Sequence, residues 1–76
     1  MNAATIEKAA IKIANLSDDG ERLDALAITV EGWMGGKRFH RLSRQERARS
    51  WFFLLGALAE KVGELDARAR VGKMVA

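Results

Sequence analysis

Gly35-Gly36-Lys37-Arg38-Phe39-His40-Arg41-Leu42-Ser43-Arg44-Gln45-Glu46 runs on through Arg47-Ala48-Arg49-Ser50 into Trp51-Phe52-Phe53-Leu54-Leu55. This stretch decides the fold, because it holds one stop signal and one start signal. Consecutive glycines reach positive φ without steric cost and suit a helix C-cap, so Gly35-Gly36 predicts an end. Ser43 with Glu46 three residues later is a capping box, in which each side chain satisfies the other residue's backbone N–H. A helix is therefore predicted to start at Ser43, with Leu42 placed to staple against the stem of Arg47 or against Ala48.

Downstream, Trp51, Leu55, Leu58, Val62 and Leu65 follow a 4-3-4-3 spacing, the rhythm of paired helices. Phe52, Gly56, Ala59 and Gly63 repeat it one residue later and are mostly small, as though another helix came close. The predicted helix covers residues 43–70, and the segment 71–76 reads as a fraying end. Phe52, Phe53 and Leu54 point to different sides of one turn, so one neighbouring helix cannot cover all three.

Upstream, Leu23, Leu26, Ala27, Val30, Trp33 and Met34 recur at helical spacing over residues 17–34. Ser17 suits the N-cap, and Asp18, Asp19 and Glu21 favour the positive end of the helix dipole. Gly20 is read as a break or kink. Over residues 3–16, Ile6, Ala9, Ala10, Ile13 and Leu16 make a small apolar face, an arm leaning on something larger.

The whole is predicted to be all-α: one domain of 76 residues, an antiparallel helical hairpin with a short additional N-terminal helix. A chain this short buries little surface and usually needs disulfides, a metal, very regular helices or a partner subunit. Cysteine is absent and His40 is the only imidazole, so regular helices and oligomerisation remain. A homodimer is expected, with Phe52, Leu55, Gly56, Leu58, Ala59, Val62, Gly63 and Leu65 at its interface.

Hydrophobic residues make up 49% of the chain and proline is absent, a composition that folds rather than staying disordered. The longest apolar run, Trp51 to Ala59, is far short of the ~20 residues that span a bilayer. Met1-Asn2-Ala3-Ala4 lacks the basic start of a secretory leader, and a cytoplasmic protein is expected. Catalysis is not expected, since cysteine and tyrosine are absent, Ser43 serves as a cap and Ser50 has no nearby base. No metal or cofactor is expected.

The charge is uneven. Between Gly35 and Arg49 six basic residues face one acid, a local +5, while the other 7 basic and 9 acidic residues net −2. Arg44 and Arg47 occupy the first turn of a helix, where the dipole prefers acids. The candidate partner-binding residues are Lys37, Arg38, Phe39, His40, Arg41, Arg44, Arg47 and Trp51, with Trp33, Phe52 and Phe53 completing an aromatic face at the same end. Arginine and aromatic residues together mark binding hot spots. The expected function is a small regulatory or inhibitory protein that binds another protein, one with an acidic surface, as phage and mobile-element inhibitors, anti-activators and adaptors do. The alternative is a nucleic-acid or nucleotide binder holding phosphate at the same helix start. A third reading makes the cluster a solvated face, with Glu31 paired to Arg38 or Arg47.

Overall fold

The computed structural model describes residues 2–75, with side chains as far as residue 73. It contains three helices, α1 (Ala3–Ala14), α2 (Asp19–Met34) and α3 (Arg44–Val75), in a body of 50 × 24 × 16 Å. The all-α class holds. Met1 and Ala76, the outer ends of the stretches read above as leaderless and fraying, lie outside the described residues.

Local signals account for each boundary. Asn2 caps α1, its side-chain oxygen accepting from Thr5 N–H and Thr5 Oγ1 at 3.0 Å each. Asp18, not Ser17, caps α2, accepting from Glu21 N–H at 2.9 Å. A carboxylate one position later leaves Asp19 and Glu21 in the first turn, where the dipole favours them. Gly20 does not break the chain; it lies inside that first turn. A Cβ there would stand 3.1 Å from Asp18 Oδ2, so the missing side chain leaves room for the capping carboxylate.

Gly35 ends α2 in ordinary right-handed geometry (φ −74°, ψ −9°), and among the described residues no glycine has positive φ. The stop therefore does not use the left-handed cap that the sequence suggested. Instead the chain folds through overlapping turns, with Phe39 N–H donating to Gly36 O (3.1 Å) and Leu42 N–H to Phe39 O (3.2 Å). The capping box then forms as read: Ser43 N–H donates to Glu46 Oε1 (3.1 Å) and Glu46 N–H to Ser43 Oγ (3.2 Å). The Ser43 backbone N–H and, after it, the Ser43 hydroxyl hold the Glu46 carboxyl below its ordinary value. Replacing Ser43 with alanine is expected to cost about 1 kcal/mol, measurable as a shift in urea midpoint at unchanged slope.

The core is small. Ala10 and Ile13 of α1, Val30 of α2, and Leu54, Leu58 and Val62 of α3 are buried, and Ile6, Leu26, Trp33, Phe39, Trp51, Leu55 and Leu65 pack around them. The N-terminal helix is no mere arm, since α1 shares the most extensive interface with α3. Its start lies beside Ala57–Glu64 and its end beside Asp66–Lys73, where it covers the lower half of α3. α2 contributes only one fully buried residue, and its Leu23 is 68% exposed despite fitting the apolar spacing. α3 continues past residue 70 to Val75.

One polar cluster ties all three helices together. The Arg22 guanidinium grips Asp66 through two bonds of 2.8 Å, while its Nε and Nη2 also donate to the carbonyls of Leu16 (2.7 Å) and Ala14 (2.8 Å). Helix C-termini leave carbonyls without intrahelical donors. Arg22 supplies donors to α1's last turn while anchoring α2 to α3. The hydrogen bonds with Asp66 raise the Arg22 pKa above its ordinary value, and those with Arg22 lower that of Asp66.

Candidate functional site

The basic segment forms a collar at the top of α3. Lys37, Arg38, His40 and Arg41 lie exposed in the turns, and Arg44, Arg47 and Arg49 lie exposed on the first turns of the helix. Two of these cations have local duties. Arg47 Nη2 donates to His40 O at 2.9 Å, fastening the connection to the helix it precedes. This explains an arginine in a helix's first turn, against the dipole. Arg38 sits over the Phe39 ring with its guanidinium carbon 5.8 Å from the centroid, a cation–π contact. His40 Nδ1 lies 3.0 Å from Lys37 O, an acceptor that selects the Nδ1–H form. Glu31 makes no salt bridge to Arg38 or Arg47; the ion pairs among the described residues are Arg22–Asp66 and Lys61–Glu64.

The aromatic residues divide into two groups. Phe39, Trp33 and Trp51 are half-buried against the core, so they serve partly as packing. Phe52 and Phe53 are 68% and 75% exposed, although Phe52 does meet Trp51 edge to face with centroids 5.2 Å apart. Large aromatic groups gain most by leaving water, and these two adjacent ones are left in it.

Phe53 and Phe39 line an open groove of about 480 Å³, with Leu54, Ser50, Arg38 and Arg49. Its lining is mixed: Phe39, Phe53 and Leu54 are apolar, and guanidinium groups belong to it from both the turn and the helix. The structure thus brings together Arg38 and Phe39 from the predicted set. It places Trp51 outside this groove, on one lined instead by Glu31, Met34, Gly35, Arg47 and Ala48. Phe53 was read as part of the aromatic face and Arg49 as the end of the basic segment, but Ser50 and Leu54 were not among the candidates. The signal that was available is the 3.6-residue recurrence, which sets Arg49, Ser50 and Phe53 on one side of the helix.

The expected dimer interface also divides. Leu58 and Val62 are buried in the chain's own core, and Leu55 and Leu65 pack against it, so these four face inward. Phe52, Gly56, Ala59 and Gly63 are all exposed. A Cβ on Gly56 or Gly63 would meet nothing within 4 Å, so no helix of this chain approaches the glycines.

No known protein family matches the chain, and neither a curated protein nor a solved structure is detectably similar to it. Among the described residues no helix is long and apolar enough to cross a membrane.

Proposed function

We propose that this chain is a small, non-enzymatic, cytoplasmic regulatory protein that captures an acidic segment of another protein in the Phe39–Phe53 groove. The observation that carries this reading is Phe53 standing 75% exposed in a groove to which Arg38 and Arg49 also contribute. An apolar side chain of the partner would enter between the rings, and flanking carboxylates would meet the guanidinium groups. Buried aromatic contacts supply affinity, and the surrounding charge supplies orientation and association rate. Arginine forks match carboxylate geometry, which favours an acidic peptide. Inhibitor, anti-activator and adaptor roles all fit such a capture device.

The test is a titration of the labelled protein with two probes, an aspartate-rich peptide carrying one central leucine and a single-stranded oligonucleotide. Amide NMR shifts should move at Phe39, Ser50 and Phe53 with the peptide and stay still with the oligonucleotide. Phe53→Ala should weaken peptide binding at least about tenfold, as loss of a hot-spot aromatic does. Oligonucleotide binding with a steep salt slope that survives Phe53→Ala would instead establish the phosphate reading.

A further inference from the structure

We infer that a second copy of this chain covers the outer face of α3, pairing antiparallel in one register. This inference rests on the outer stripe of α3, which shares Arg49 with the Phe53 groove. Three observations converge on it.

The chain leaves too much surface in water. A compact 8.4 kDa monomer exposes about 4,600 Å² by the usual scaling of area with mass. This one exposes 5849 Å², an excess larger than the roughly 800 Å² per partner that a standard interface buries. Part of it lies on Phe52, 68% exposed at the head of the uncovered stripe.

The stripe is also self-complementary. Gln45, Arg49, Phe52, Gly56, Ala59, Gly63, Asp66 and Arg70 continue the 4-3 heptad rhythm along α3. A twofold axis between Gly56 and Ala59 sets each residue opposite the one whose number completes the same sum. Phe52 then stands over the partner copy's glycine at position 63, the largest side chain above the smallest. Gly56 faces alanine 59 of the second copy, which permits close approach of the helices.

Charge agrees with shape. The same register puts Arg49 level with aspartate 66 of the second copy, twice, once at each end of the seam. Asp66 is 30% exposed and deprotonated under its pair with Arg22, so it can receive a further cation. A parallel pairing would set Arg49 against Arg49 and Phe52 against Phe52. Phe53 lies about 100° around the helix from Phe52 and stays on the flank of the seam.

Cysteine is absent, so introduced thiols report the register without interference. Phe52→Cys chains and Gly63→Cys chains should each fail to form disulfide dimers alone, because like positions sit about 16 Å apart along the axis. An equal mixture should link quantitatively, since a disulfide needs Cα atoms within about 7 Å. A disulfide dimer of either variant alone, or no link in the mixture, overturns the arrangement. Unmodified chain should sediment at twice 8.4 kDa at micromolar concentration, and a monomer there overturns it too. Gly63→Leu should sediment as a folded monomer, with helicity checked by circular dichroism; a dimer that persists in this variant also overturns it.

Discussion

Leu58→Ala lowers the free energy of unfolding by about 2–5 kcal/mol. Leu58 is fully buried, in a core that holds only six buried residues among those described, drawn from all three helices. Cutting its isobutyl group back to methyl forfeits the transfer energy of the lost isopropyl carbons and leaves a void that neighbours close only in part. At the usual 0.05–0.15 kcal/mol per residue, a chain of this length has roughly 4–11 kcal/mol of stability in total. The variant should therefore lose its cooperative thermal transition, or melt well below the parent. Leu23→Ala is the control. Leu23 has the same side chain and fits the same spacing on α2, yet it is 68% exposed, so its loss should stay within about 0.5 kcal/mol. If the two variants melt together, the core lies elsewhere.

Arg22→Met is expected to be the most damaging substitution of any charged residue. Its methylene stem is roughly preserved, but the carbonyls of Ala14 and Leu16 lose their donors and Asp66 loses its partner at one stroke. Hydrogen exchange should report the damage first in the last turn of α1, with α3 protected longer. Acid gives an independent readout. Because the folded-state pKa of Asp66 lies below its ordinary value, the unfolded chain binds more protons than the folded one in the acid range. The stabilisation from the pair is thus present in full above the ordinary aspartate value, near 3.9, and is lost as pH falls from there through the lower folded value. Glu46 contributes in the same sense. In Arg22→Met the stability should fall less steeply with acidification, since only the Ser43–Glu46 part remains. An unchanged acid profile would show that the clamp contributes nothing in solution.

How much of this was legible in the sequence depended on how far each interaction reaches. The capping box needs only Ser43 and Glu46, three residues apart, and it formed as read. The apolar spacing of α1 was equally local, and Ala10 and Ile13 are buried where it put them. Arg22 and Asp66 are 44 residues apart and carry no local pattern, so their pairing was invisible until α2 and α3 were laid together. The two stripes of α3 lie in between. Spacing identified both, but it does not say which is covered by the chain itself. The bulky stripe was therefore given to a dimer, when Leu58 and Val62 belong to the internal core. Leu54 fell outside both stripes and is nonetheless buried, because the inward face is centred between Leu54 and Leu58. At the basic collar the charges were plain from composition. What stayed hidden was that Arg47 is turned back onto His40, while Arg38 and Phe39 share one groove with Phe53.

The Arg22 clamp also bears on the order in which the chain takes shape as it is made. Its acceptors at Ala14 and Leu16 and its donor leave the ribosome early, but the carboxylate at position 66 and the core residues Leu54, Leu58 and Val62 come late. Helices as short as α1 and α2 are marginal in water without a tertiary partner. Each packs more extensively on α3 than on the other, so most of that support arrives only when α3 has been synthesised. Nascent chains stalled before position 54 should therefore be open to protease, and resistance should arise in one step once Asp66 has cleared the exit tunnel.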